Sequence, residues 1–296
     1  MTRPQRPLLG IGLVLVMTLL FAGMDTAIRW LGGAMPVLLM LTLRYVFQAV
    51  VMTAWLARRG WAGFRPAHPR FQVLRGLLLL VTSVFSFFGL QHVPVPEFTA
   101  IFMLTPLVAT LLAAALLGER VTPLRALLVA GGFAGALVVI RPGSGLLGWA
   151  VLYPLAGVAA YAFFQVLTRR LAGAEDPLVT HFWTGFVVAV VLLPVLAASA
   201  VDVPAALATA TPLQLAVLLA IGALGTFGHL MLVLAMGLAP TATLMPFIYT
   251  QIGWAALLGG LVFGQLPDGP SWAGMALIAA CGASAVWLNT RRMPAA

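Results

Sequence analysis

The chain has 296 residues, of which 62% are hydrophobic and 8% are charged, and its mean hydropathy is +1.08. Soluble globular domains carry about 25% charged residues, so this composition excludes a soluble protein. The net charge of +9 comes from 16 basic residues, all arginine. They lie in short clusters between apolar runs, a pattern that argues against nucleic-acid binding.

Apolar segments long enough to cross a bilayer recur along the whole chain. A membrane-spanning helix needs about 20 mostly apolar residues, and arginine clusters, prolines and glycines separate ten such segments. In chain order they are 8–31, 36–56, 71–91, 96–117, 123–141, 146–168, 178–199, 212–237, 240–263 and 270–290. The sequence therefore predicts an all-α integral membrane protein with ten transmembrane helices.

The positions of the arginines predict the orientation of these helices. If the N-terminus is cytoplasmic, the arginines fall at or near cytoplasmic ends of the spans, except for Arg29, Arg44 and Arg141. Cytoplasmic loops carry an excess of basic residues. We therefore expect a multi-pass protein of a bacterial-type inner (plasma) membrane, with both termini in the cytoplasm.

The second half of the chain repeats the order of the first at an offset of about 140 to 147 residues. The matches include Pro94 with Pro240, Gly118 with Gly264, and Arg29 with Arg169. Because each half holds five helices, an odd number, two related halves must lie in opposite orientations, as in many transporters. We predict a single transmembrane domain made of two inverted five-helix repeats, 1–143 and 144–296.

Two matching segments of this repeat end differently. The stretch 104–120, LTPLVATLLAAALLGER, ends in Glu119 and an arginine, whereas 250–266, TQIGWAALLGGLVFGQL, ends in Gln265. As the fourth and ninth helices of inverted halves, they would end at opposite faces of the membrane. We expect Glu119 to pair with adjacent arginines at the cytoplasm, and Gln265 to lie outside, away from any arginine.

Two quoted stretches, together with the layout of five plus five spans, carry a family resemblance. The first is PVLLMLTLRYVFQAV (36–50) with Arg44, and the second is LTPLVATLLAAALLGERVTP (104–123) with Pro106. The chain resembles the EamA-type permeases of the drug/metabolite transporter superfamily. The resemblance implies export of small metabolites, among them amino acids and drugs.

The second half departs from the pattern of that family. Ile252 and Gln265 stand where the second half of the family usually repeats the proline and the glutamate. This departure argues against a mechanism that needs a symmetric pair of carboxylates.

Charged residues within or beside the spans are the first candidates for a site, because charges are costly in a bilayer. Arg44 would be a counter-charge for a substrate carboxylate, or would tie the second helix to neighbouring carbonyls or an acid. Asp25 and Arg29 are four residues apart and would form an ion pair, or Asp25 would contact a substrate amine. Glu97 would be stabilised at a helix N-terminus, or would belong to the site.

Polar residues on apolar helices are the second set of candidates. Tyr161, Gln165 and Thr168 share one face of the sixth helix, a face expected to point into the protein. Ser86 lies in the third helix. His229 lies within the eighth helix, after three glycines that indicate close packing, and it is either a hydrogen-bonded core residue or a site residue.

The ninth helix offers two candidates that lie on different faces. Tyr249 and Gln251 are about 200° apart on a helix, so we expect only one of them to face the cavity, and we predict Tyr249.

The sequence contains no phosphate-binding or zinc-protease motif, and its one cysteine is Cys281. We expect no cofactor, no metal and no enzymatic activity. The prediction is a secondary transporter that exports small metabolites, first of all amino acids, by alternating access. Its cavity would lie among the first, third, fourth, sixth, eighth and ninth helices.

Alternatives are an exporter of drugs or organic cations, a membrane-embedded enzyme and a lipid-handling scaffold. The expected partners are a small-molecule substrate and the lipid bilayer, with the protein as a monomer or weak homodimer.

Overall fold

A computed structural model describes residues 6–58, 60–117, 122–141, 147–171, 174–236, 238 and 244–291. Every regular element in these ranges is helical. The α-helices are α1 (Pro7–Leu31), α2 (Val37–Ala57), α3 (Pro69–His92), α4 (Val95–Phe102), α5 (Thr105–Leu117), α6 (Pro123–Ile140), α7 (Leu152–Leu171), α8 (Pro177–Ala197), α9 (Val203–Ala208), α10 (Pro212–Met236), α11 (Thr250–Phe263) and α12 (Gly269–Arg291). Short 3-10 helices cover Trp61–Phe64, Gly148–Val151 and Met245–Tyr249.

The helices have the length and composition of a membrane protein. In the described ranges, eight segments are long and apolar enough to cross a bilayer: Pro7–Leu31, Val37–Ala57, Pro69–His92, Val95–Leu112, Gly148–Thr168, Pro177–Ala197, Pro212–Ala235 and Pro246–Phe263. A shorter apolar helix covers Ala126–Ile140, and α12 has 23 residues. The chain is an all-α membrane protein, and the total of ten spans stays a prediction.

The fourth predicted span is broken into α4 and α5, and the break has a local cause. In a continuous helix the amide of residue 106 would donate to the carbonyl of Phe102, four residues earlier. Pro106 has no amide hydrogen, so it cannot make this bond. The hydroxyl of Thr105 donates to that carbonyl instead, at 2.6 Å. In the ninth span, Thr250 donates to the Phe247 carbonyl at 2.7 Å in the same way, beside the 3-10 turn.

The packing of the helices follows a paired pattern. Helix α1 packs mainly on α10, and α7 packs mainly on α3; α1 also contacts α11, as α7 contacts α4 and α5. Helix α10 contacts α2, as α3 contacts α8, while α2–α8 and α6–α12 are contacts between equivalent helices. Each of these contacts therefore has a counterpart in which every helix is replaced by its equivalent from the other set of five spans. For the α2–α8 and α6–α12 contacts, that counterpart is the same contact.

Glycines let α10 approach the first half closely, as the sequence indicates. A Cβ atom on any of three of them would lie 2.7 to 2.9 Å from a side chain of α1 or α2. The pairs are Gly222 with Phe47, Gly225 with Arg44, and Gly228 with Phe21. The absence of these side chains is what brings Arg44 against the α10 backbone.

Candidate functional site

A central cavity lies among α1, α3, α4, α5, α7, α10 and α11, with one residue from α2. Its empty space is about 1040 Å³, including the part open to the surroundings. The polar and charged residues that line it are Asp25, Arg44, Thr82, Ser83, Ser86, Thr99, Thr105, Tyr161, Gln165, His229 and Gln251. Among the predicted site residues, Asp25, Arg44, Ser86, Tyr161, Gln165 and His229 therefore come together here.

Asp25 is 8% exposed and faces this cavity from α1. The side-chain amide of Gln251 donates to its carboxylate at 3.4 Å, which is a long hydrogen bond. Asp25 and Arg29, both in the described part of the chain, do not form the predicted ion pair. Arg29 donates instead to the carbonyls of Leu90, at 3.2 Å, and Val93, at 2.5 Å. The last carbonyls of a helix lack intrahelical donors, so they attract this guanidinium away from Asp25.

Arg44 is 4% exposed and is the contribution of α2 to the cavity. Its guanidinium carbon lies 4.4 Å from the centre of the Tyr45 ring. The Tyr45 hydroxyl hydrogen-bonds Ser83 on α3 at 2.5 Å, which fixes the ring. In the described part of the chain, Nε and Nη1 of Arg44 have no hydrogen-bond partner, so these two nitrogens do not tie α2 to carbonyls.

His229 lines the cavity from α10. Its Nδ1 donates to the Gly225 carbonyl at 3.0 Å, and its ring meets the Phe21 ring edge-on at 4.9 Å. Behind it, at 5.6 Å between ring centres, stacks His181 of α8. The side-chain amide of Gln48 on α2 approaches Nδ1 of His181 at 3.3 Å and donates to its carbonyl at 3.1 Å.

Aromatic rings form one wall of the cavity. Phe98 stacks on Phe102 at 5.6 Å, and Phe102 lies 5.6 Å from the Tyr161 ring. Tyr161 in turn stacks on Phe164 at 5.4 Å. Phe21 stands on α1 as a further aromatic lining residue. Such surfaces suit flat or apolar groups.

Tyr249 does not line the cavity, and this prediction is corrected by its placement. The residue is buried, and its ring occupies the space left by the missing side chain of Gly282 on α12. Gln251 lines the cavity instead and contacts Asp25. The two residues do lie on different faces, as their spacing requires, but the packing of α12 decides which face turns inward.

Glu97 also lies outside the central cavity. It is 8% exposed and lines a second pocket at one end of the bundle, together with Arg141, Gln265 and Asp268. The neighbouring Phe98 lines the central cavity, so α4 separates the two spaces.

Arginine side chains bind two of the residues that line the second pocket, Asp268 and Gln265. Arg141 binds Asp268 through both Nη atoms, at 2.7 and 2.8 Å. The hydrogen bonds from Arg141 and Ser271 lower the pKa of Asp268 to about 2. Arg29 donates to Gln265 at 3.3 Å, so the expectation that Gln265 lies away from any arginine is wrong.

The reason for that error is tertiary, because α1 packs on α11 and brings together residues that are far apart in sequence. The predicted pairing of Glu119 lies outside the described residues.

Comparison with known proteins identifies the family of this chain. The EamA-like transporter family matches residues 8–141. A protein named riboflavin transporter, from Rhizobium johnstonii, is 30% identical over 277 residues, which are 93% of this chain and 90% of that protein. The chain belongs to the EamA-like transporter family. This confirms the resemblance drawn from the sequence.

Relatives of this EamA-like transporter carry several substrate names. An S-adenosylmethionine uptake transporter of Rickettsia prowazekii is 24% identical, covering 82% of this chain and 81% of that protein. A pseudopaline exporter of Pseudomonas aeruginosa is 25% identical, covering 91% and 93%. A crystal structure of 22% identity has a TM-score of 0.65 and covers 97% of this chain and 98% of the other, which shows the fold.

Family membership places this EamA-like transporter in a membrane and points to transport of small molecules rather than to catalysis. In the described part of the chain, no group of three or more His, Cys, Asp or Glu residues lies close enough to hold a metal ion. Sequence reasoning missed Gln48 and His181. Each is a polar residue within an apolar helix, a signal that identified His229 but was not followed for these two.

Proposed function

We propose that this EamA-like transporter exports small metabolites, first of all amino acids, by alternating access through the central cavity. The transport domain would consist of two inverted repeats, 1–143 and 144–296, in a bacterial inner membrane with both termini cytoplasmic. The observation that carries the proposal is the pair of opposite charges, Asp25 and Arg44, in one cavity.

The two charges lie in the same cavity without binding each other. Both residues lie within the described ranges, more than nine-tenths buried, and the structure forms no ion pair between them. A buried charge without a partner is costly. A zwitterion with an ammonium group near Asp25 and a carboxylate near Arg44 would neutralise both, and an amino acid is the smallest common metabolite with that pattern.

Alternating access is supported by the paired packing of the helices. Because the contacts of the first five spans have counterparts among the last five, each half can adopt the conformation of the other. That exchange would open the cavity first to one face of the membrane and then to the other.

A second candidate substrate is a flat, uncharged heteroaromatic metabolite. The rings of Phe98, Phe102 and Tyr161 favour it, and the relative that is 30% identical is named a riboflavin transporter. This candidate leaves Asp25 and Arg44 without a role in binding.

Exchange assays in liposomes separate these candidates. Purified protein would be reconstituted with unlabelled amino acid or riboflavin inside, and entry of the labelled compound would be measured with and without a pH gradient. We expect saturable exchange of at least one amino acid, which protein-free liposomes lack. Exchange of riboflavin alone would favour the second candidate, and no flux of any compound would contradict transport and favour an enzyme or scaffold.

A further inference from the structure

Four buried hydrogen-bonding atoms without partners lie at the junction of α2, α8 and α10. They are Nε and Nη1 of Arg44, Oγ1 of Thr226 and Nε2 of His181, and none has a hydrogen bond to any described residue. The three residues are 4%, 1% and 7% exposed. Buried polar atoms normally have partners, so such a cluster marks a place where another group binds.

Gly225 connects the three residues that carry these atoms. Nε of Arg44 lies 2.9 Å from the position where a Cβ on Gly225 would be, and Thr226 is the next residue of α10. His181 lies beside the Thr226 backbone and stacks on His229, which donates to the Gly225 carbonyl. The missing side chain at position 225 thus lets Arg44 of α2 approach the part of α10 that Thr226 and the His181 ring also adjoin.

All four atoms can donate a hydrogen bond. The guanidinium nitrogens of Arg44 are permanent donors, and the Thr226 hydroxyl can rotate to donate. The amide nitrogen of Gln48 faces Nδ1 of His181, so Nδ1 accepts and the proton of the neutral ring lies on Nε2. Arg44 brings a positive charge and two donor atoms, and Thr226 and His181 add one donor atom each, which is the chemistry that recognises an oxyanion. The Thr226 backbone beside the His181 ring is the acceptor that a bound oxyanion would replace.

The cluster adjoins the central cavity through Arg44. Arg44 and His229 line that cavity, whereas Thr226 and His181 are not among its lining residues. The His181 ring stacks on the His229 ring from the other side of the wall. The carboxylate of Asp25 lies in the same cavity but hydrogen-bonds Gln251 of α11. The donor cluster is therefore separate from the acidic group, and Arg44 connects it to the same cavity.

We infer that Arg44, Thr226 and His181 form an oxyanion site that holds the carboxylate end of the transported molecule. The inference rests on the proposed function and narrows it to metabolites with a carboxylate, which riboflavin lacks. Arg44 supplies the charge and two hydrogen bonds, whereas Thr226 and His181 fix the direction from which the carboxylate enters. The aromatic wall then faces the remainder of the molecule.

A binding experiment tests this site without requiring transport. Purified full-length protein would be titrated with sodium benzoate, with its uncharged isostere benzamide, and with inorganic phosphate at matched ionic strength, using the shift in unfolding temperature to obtain affinities. We expect benzoate to bind about tenfold or more tightly than benzamide, the range of a hydrogen bond to a charged group. Equal binding of benzoate and benzamide would overturn the inference.

Variants locate the effect. Arg44→Gln should abolish the preference for benzoate, Thr226→Val should weaken it severalfold, and Thr226→Ser should restore it. The matched control is Thr184→Val, because the buried Thr184 hydroxyl on α8 already donates to the Thr180 carbonyl. If Arg44→Lys and the control fold normally, an unchanged preference in both Arg44→Gln and Thr226→Val would contradict the site.

Two further outcomes separate the proposals. Binding of phosphate without benzoate would show a site for inorganic anions and overturn the assigned substrate class. Preferential binding of benzoate together with an absence of flux in liposomes would support the oxyanion site and contradict the proposed transport function.

Discussion

The two halves of the molecule contribute equivalent positions to the cavity but different chemistry. The offset that places Arg29 on Arg169 also places Asp25 on Gln165, and both of these residues line the cavity. The offset that places Pro36 on Pro177 puts Gly185 opposite Arg44. The first half therefore supplies both cavity charges. The second half supplies neutral side chains, and its Gly185 and Gly225 leave room for Gln48 and Arg44 of the first half.

This difference separates the parts of the protein that would move from the parts that would recognise the substrate. Paired helix contacts need only similar backbones, because the exchange of conformations depends on shape. Recognition of a zwitterion needs unlike charges at fixed places, and a symmetric pair of carboxylates would repel a substrate carboxylate. One charged half and one neutral half would hold the substrate in a single orientation throughout the cycle.

The largest expected effect comes from making the halves alike at the Asp25 position. Asp25→Asn removes the carboxylate that would bind the substrate ammonium, and we expect amino-acid exchange in liposomes to fall about tenfold to a hundredfold. Asp202→Asn is the matched control, because Asp202 caps α9 by accepting from Ala205 and Asn caps equally well. Full exchange activity in Asp25→Asn would refute the role of the first-half charge.

A smaller effect should follow from removing the space that the second half provides. In Gly225→Ala the new Cβ would lie 2.9 Å from Nε of Arg44 and 3.0 Å from the sulfur of Met24. Both are flexible side chains, so the protein should fold, but displacement of the guanidinium should reduce exchange on the order of threefold to tenfold.

The control for that change is Gly12→Ala, where nothing lies within 4 Å of the new atom. Its exchange rate should equal that of the unmodified protein, and its unfolding temperature should not fall. If Gly225→Ala also left the exchange rate unchanged, the close approach of Arg44 to α10 would not be needed for transport.

The smallest expected effect concerns the ion pair that joins the halves at the end of the bundle. The pKa of Asp268 is lowered from 3.8 to about 2 by hydrogen bonds from Arg141 and Ser271. A depressed carboxyl pKa in the folded state stabilises the protein above pH 3.8, and that contribution is lost as the pH falls through about 2.

Asp268→Asn removes this contribution while keeping a side chain that can accept from the Ser271 amide. We expect thermal unfolding in detergent to show a smaller stability loss between pH 5 and pH 2 in the variant than in the unmodified protein, although other carboxylates titrate in that range. Identical pH profiles would mean that the two halves are not coupled through this pair.

The helices could be predicted because each membrane span must satisfy its own backbone hydrogen bonds, so length and hydropathy suffice to locate it. The spacing of Tyr161 and Gln165 likewise identified an inward-facing surface, since residues four apart share a helix face. For Tyr249 and Gln251 the spacing excluded a shared face without choosing one. That choice depends on the gap at Gly282, which belongs to another helix.

By itself, the sequence determined the membrane environment, the helices and the family, because these follow from apolar length, the spacing of breaks and a quoted motif. Only the tertiary structure decided which polar residues meet. Arg29 is drawn to the carbonyl end of α3 and to Gln265 rather than to Asp25. Arg44 lies against Gly225 of α10 because helices distant in sequence pack around that glycine, and no local pattern encodes that contact.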